Sequence, residues 1–132
     1  MEKQVAMSNK QKYQLEFEIK TSPRILYNYL STPSGLEEWF ADNVSVSDGI
    51  YTFKWEGSEA KARIASKKDF SFIRFKWIDS EDDTFFQFEI VQDALTNDVA
   101  LMITDFCNTE DKDANALLWE TQIHSLTHML GC

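Results

Sequence analysis

Apolar residues fall at every second position through most of residues 50–90, and that period confines this part of the chain to strands. Tyr51, Phe53 and Trp55 share one face. So do Ala60, Ala62 and Ile64, then Ile73, Phe75 and Trp77, then Phe86, Phe88 and Ile90. Lys54, Lys61, Arg63, Arg74 and Lys76 take the opposite face of three successive strands. Turn signals separate the runs: Asp48-Gly49, Glu56-Gly57-Ser58, the acidic stretch 79–83 and residues 94–98. Strands joined this closely form an antiparallel meander with one face to bury. The last run, "VALMITDF" at 99–106, is apolar almost throughout and predicts a central strand covered on both sides.

The flanks complete the pattern. Residues 12–20 alternate Tyr13, Leu15, Phe17 and Ile19 against Gln14, Glu16 and Glu18, which predicts a half-buried first strand. Ser22-Pro23 and Thr32-Pro33 each set a capping side chain before a proline at the first helical position. Two short helices follow, one through about Leu30 and one ending around 40–42. Ser34 with Glu37 offers an alternative capping box for the second. Near the end, Trp119, Ile123, Leu126 and Leu130 form one stripe of a long helix, flanked by Leu118 and Met129, and that stripe is expected to face the sheet. The order strand, two short helices, six strands, long helix makes an α+β class with about seven strands. Residues 1–10 read as a loose polar arm and 11–132 as one domain.

Composition excludes several functions. Ten Phe and four Trp supply a core for one domain of 132 residues without metal or disulfide staples. A net charge of −9 opposes a phosphate backbone, so nucleic acid is not an expected partner. No apolar run approaches the roughly 18 residues of a membrane span, and no basic segment leads into an apolar one. The cytoplasm is the expected location. Cys107 and Cys132 form no spaced framework and are expected to be reduced thiols.

The element order, with "STPSGLEEWFAD" after the first strand and "LLWETQIHSLTHMLG" at the end, resembles the START-like or helix-grip (SRPBCC-type) superfamily. Within it the chain is most similar to the bacterial branch related to activators of the heat-shock ATPase. The resemblance runs from about Lys12 to Gly131. It implies a curved sheet gripping the C-terminal helix, with an internal cavity between them. Members of the superfamily include lipid carriers, hormone and allergen-type binders, aromatic polyketide cyclases and co-chaperone domains, so the fold alone does not transfer a function.

The cavity candidates follow from the inward faces: Trp39, Phe40, Phe53, Trp55, Ala60, Ala62, Phe75, Trp77, Phe88, Asp105, Trp119, Gln122 and Ile123. Either the rings fill the space between sheet and helix, or the small Ala60 and Ala62 leave room in it. Trp39 and Phe40 are adjacent on a short helix, about 100° apart, so both rings cannot enter one pocket. One is expected at the open end of the grip and the other around Leu26 and Leu30; alternatively both are plain anchors. Alternation past Val99, Leu101 and Ile103 points Asp105 inward. Asn115 and Gln122 lie in the apolar arc of the last helix; either both bond nearby backbone, or Gln122, nearer the helix middle, serves as a polar handle in the cavity.

Catalysis and metal binding find little support in the residues. No Gly-x-Ser-x-Gly, Cys–His pair or Gly-rich phosphate loop is present among only four glycines, so no catalytic residue and no cofactor is nominated. Asp105 lacks an inward partner for acid–base work. His124 and His128 fall about 140° and about 180° from the stripe, toward solvent, and Ser125 stands where a zincin needs Glu, so no metal is expected. The favoured reading is a non-enzymatic container for a small apolar or amphipathic molecule. The alternatives are a protein-interaction or co-chaperone-like domain, whose basic stripe would meet an acidic partner, and a cyclase-like enzyme. Outward Phe72, Phe85 and Met102 invite a weak homodimer.

Overall fold

Alternation along the strands becomes register in space. The computed structural model describes residues 10–78 and 82–131. It contains β1 (Lys10–Glu18), α1 (Pro23–Ser31), α2 (Pro33–Leu36), β2 (Asn43–Ser47), β3 (Ile50–Trp55), β4 (Ser58–Lys68), β5 (Phe72–Trp77), β6 (Phe85–Gln92), β7 (Val99–Asn108) and α3 (Lys112–Leu130), the last entered through a 3-10 turn. The expected arm at 1–9, Cys132 and positions 79–81 of the acidic turn lie outside the described residues. Lys10, expected in the arm, opens β1.

All seven strands form one antiparallel sheet in the order β1-β7-β6-β5-β4-β3-β2. This is the expected α+β class with the expected strand count. Asp48 and Gly49 both take positive φ, 55° and 80°, which gives the tight hairpin that pairs Ser47 with Ile50. Register then aligns the inward rows. Ile73, Phe88, Ile103 and Leu15 run continuously across β5, β6, β7 and β1, and Ala62 sits between Tyr51 and Trp77. A bulge between Ile64 and Ser66 carries the end of β4 out of the core, where residues 65–68 are exposed.

Both N-caps work as the sequence requires: Ser22 Oγ accepts from Ile25 N and Thr32 Oγ1 from Gly35 N. The Ser34–Glu37 box does not form, because Glu37 Oε2 instead accepts from Val44 N at 2.9 Å and ties the helical corner to edge strand β2. α1 buries Leu26, Tyr27 and Leu30. α3 buries Trp119, Ile123 and Leu126 on the sheet, with Leu130 half-buried.

Four expectations need correction. α2 stops at Leu36 rather than near residue 40, and the chain continues as turns. Leu118 and Met129 do not join the buried stripe but are 61% and 43% exposed, because the inner face already carries large rings and only the centre of the stripe reaches them. β7 is one strand in from the edge, between β1 and β6, not at the centre. No helix or further sheet layer of the described residues lies over its outer face; side chains shield it, with Phe106 against Phe85 and Gln14 bonded to Thr104. Finally, Phe72 pairs with Glu89 while Phe85 pairs with Lys76, so the two rings sit at opposite ends of the β5–β6 pair. Arg74, Gln87, Thr104 and Gln14 form a polar row between them, and the patch with Met102 is not continuous.

Gly35 allows α2 to cross the end of α1. A Cβ there would lie 2.7 Å from Tyr29 Cα and 2.8 Å from Thr32 Oγ1, in addition to meeting Asn28 O. Gly35→Ala is therefore expected to destabilise the domain by about 1–3 kcal/mol in urea denaturation. An unchanged midpoint would show that the corner yields freely.

Candidate ligand cleft

The corner after α2 decides what the interior can hold. Residues 37–40 form turns in which Glu38 N and Trp39 N bond carbonyls three residues back while Ala41 N reaches five back to Leu36 O, so regular helical spacing is not kept and both rings are buried. Trp39 donates Nε1–H to Tyr29 O at 2.8 Å and lies 5.4 Å from Phe88, centroid to centroid. Phe40 enters the space between sheet and helix. Its ring contacts Phe53, Trp55, Phe86, Phe88 and Trp119 at 5.0–6.0 Å. Its carbonyl accepts from Trp55 Nε1 and Gln122 Nε2, both at 2.8 Å.

The centre of the grip is thus filled. Phe53, Phe75, Phe88 and Ala62 are fully buried, Ile123 nearly so, and Ala60 half-buried; none of them is among the residues that line the open cleft beside α3. Of the two alternatives left open by the sequence, rings are found beside the small residues: Ala62 lies between Tyr51 and Trp77 and Ala60 opposite Phe53, which packs on Phe75 and Trp77. Trp39 lines a neighbouring open groove beside Glu37, Glu38 and Asp42.

One open cleft of about 420 Å³ lies between the first half of α3 and the sheet end where β3 and β5 finish and β4 begins. Phe40, Trp55, Trp77 and Trp119 supply aromatic walls, and Leu118 adds an exposed apolar side chain. Asp105, Asn115, Gln122 and Ser58 supply polar atoms. Six of the residues nominated from sequence therefore meet at one place: Phe40, Trp55, Trp77, Asp105, Trp119 and Gln122. Ser58 and Leu118 were missed as site residues. Ser58 pairs with Trp55 across the Gly57 turn, and Leu118 precedes Trp119, so both positions carried a signal by adjacency.

Asp105 joins three elements. Its Oδ2 accepts from Trp119 Nε1 at 2.9 Å and from the Tyr13 hydroxyl at 3.3 Å, and its Oδ1 accepts from the Phe106 amide at 2.8 Å. Burial pushes its carboxyl above the ordinary range, and these donors offset only part of that effect. Burial, together with Asp105 alongside, raises the Tyr13 phenol; the same two causes raise the Cys107 thiol. Cys107 is a buried, unpaired thiol. Asn115 Nδ2 donates to Asp111 O in the 3-10 turn that leads into α3, and Gln122 bonds the Phe40 backbone, so both inward amides have backbone partners while still lining the cleft.

Asp105 is the one ionisable side chain among the described residues that line the cleft, so no second titratable lining group stands beside it. His124 and His128 are exposed. Among the described residues no group of three His, Cys, Asp or Glu is placed to hold a metal.

A seven-stranded antiparallel sheet, a corner of short helices after the first strand and a long final helix define the START-like class. The family model for the START-like superfamily domain matches residues 7–132, and the chain belongs to that family. A Bacteroides fragilis protein of known solution structure is 38% identical, with 92% of each chain covered and a TM-score of 0.66. The Aha1 dimer of Colwellia psychrerythraea is 19% identical, with 89% of this chain and 93% of that one covered and a TM-score of 0.73. A Mesorhizobium loti protein at 13% identity covers 92% and 97%, with a TM-score of 0.75. No curated protein matches the chain.

Asp105 sets a pH dependence. Its folded-state pKa lies above the ordinary 3.8, so the folded protein holds this proton more tightly than the unfolded chain. The group opposes folding when ionised, and that penalty is relieved as pH falls through its raised pKa toward about 4. The stability of the native protein minus that of Asp105→Asn is therefore expected to rise as pH is lowered from about 7 to about 4. Urea denaturation across that range checks it, and a flat or falling difference contradicts the burial account.

Proposed function

We propose that the chain is a non-enzymatic, cytoplasmic binding protein that holds a small apolar or amphipathic molecule in the cleft between α3 and β3–β5. The observation that carries the reading is the convergence of four aromatic walls on a few polar groups, Asp105 and Gln122 among them. Small-molecule sites have this composition, and the volume lies within their usual range of roughly 300–1,000 Å³. The ligand sits at the mouth of the grip rather than inside it, since Phe40 occupies the inside.

A protein-partner reading has weaker support. Lys54, Lys61 and Arg63 are exposed on the outer face, but Lys61 lies 3.5 Å from Glu59, Arg74 bonds Gln87, and Lys76 bonds the Asp82 carbonyl. Much of the basic stripe is already engaged within the fold.

Thermal-shift screening of fatty acids, sterols, flavonoids and isoprenoids tests the cleft. A ligand at a hundred times its dissociation constant adds about 2.7 kcal/mol, which moves the melting temperature by several degrees. Leu118→Trp, at an exposed position, should leave the unliganded melting temperature nearly unchanged and abolish the shift by filling the cleft. A ligand shift that survives Leu118→Trp places binding elsewhere and overturns the assignment.

A further inference from the structure

Resting on the cleft reading, we infer that the preferred ligand is a small organic ammonium ion with an apolar or aromatic body, and that anionic amphiphiles such as fatty acids are rejected. Three indoles and one phenyl ring line the cleft, and aromatic faces attract cations through their quadrupole, tryptophan most strongly. The indole N–H groups of Trp55 and Trp119 are already bound to Phe40 O and Asp105, so these rings offer no donor to a carboxylate ligand.

The one formal charge in the cleft is negative. The three groups that donate to Asp105 are neutral, so its charge is hydrogen-bonded without a cation in direct contact. Lys10, the cation that acts on Asp105 from the end of β1, lies 3.6 Å from Asp82. The adjoining groove shares Phe40, Trp55 and Gln122 with the cleft and adds Glu37, Glu38 and Asp42. No Lys or Arg is among the described residues lining either space. On a chain of net charge −9 this field draws cations in and keeps anions out. A ligand carboxylate would meet Asp105 with no cation lining the cleft to offset the repulsion. An ammonium would meet both a carboxylate and ring faces.

Three matched probes test the inference: benzyltrimethylammonium, benzyl alcohol and benzoate, at one ionic strength. The readout is the four indole N–H signals in a nitrogen–proton correlation spectrum. Trp55, Trp77 and Trp119 should shift with benzyltrimethylammonium, while Trp39, which lies outside the cleft, should not. Its dissociation constant should be at least tenfold below that of benzyl alcohol, and benzoate should not bind. Asp105→Asn should shrink that gap, and Trp77→Leu, which leaves the Asp105 cluster intact, should weaken the cation most.

Equal affinity for the three probes, or tighter benzoate, overturns the cation preference while the cleft reading stands. Binding of members of the apolar panel without benzyltrimethylammonium does the same. Silence from all probes and from the panel overturns both. Phosphatidylcholine vesicles at the same choline concentration should not bind. Vesicle binding without binding of the free ammonium would assign the chemistry to a lipid headgroup and overturn the small-molecule ligand.

Discussion

The structure depends on how Phe40 is held. Its ring fills the space between sheet and C-terminal helix, and its carbonyl accepts from Trp55 on β3 and Gln122 on α3 at 2.8 Å each. One residue thus joins the helical corner, the sheet and the final helix. Two donors on one buried carbonyl leave neither side chain with an unmet bond, which in an apolar setting costs about 1–3 kcal/mol per group. Trp39 fixes the approach by bonding the end of α1, and Gly35 lets the corner lie close enough for it to do so.

This constraint converts a possible container into a shallower site. A sheet of this kind must bury its inner face, and here aromatic rings do so from within: Phe53, Phe75, Phe86 and Phe88 meet Phe40 or one another at 4.9–6.4 Å. The cleft opens at the end of the sheet where β3 and β5 finish, β4 begins and the first half of α3 passes over. There the walls are aromatic and Asp105 supplies the only charge among the described lining residues. Under the proposed reading, recognition there is set by the sign of that charge and by ring faces.

Much of this was legible in the residues because the strand period of two survives folding. Alternation past Val99, Leu101 and Ile103 correctly turned Asp105 inward, toward Trp119. The rule that buried amides need partners anticipated the backbone bonds of Gln122 and Asn115. Phe40 was not legible, since its direction depends on α2 ending at Leu36, and a four-residue helix leaves no periodicity to read. Register was also hidden. Alternation assigns Phe72 and Phe85 to one face, but only the pairing of β5 with β6 shows them at opposite ends. The exposure of Leu118 follows from a sheet face already filled with rings, which no helical wheel contains.

The central claim is that Phe40 is core and not a gate, and denaturation of Phe40→Ala in urea tests it most directly. The account predicts a loss of about 3–5 kcal/mol, the cost of removing a buried phenyl ring from a filled interior. A loss below about 1 kcal/mol, accompanied by tighter binding of apolar ligands, would show a movable ring over an available cavity and would contradict it.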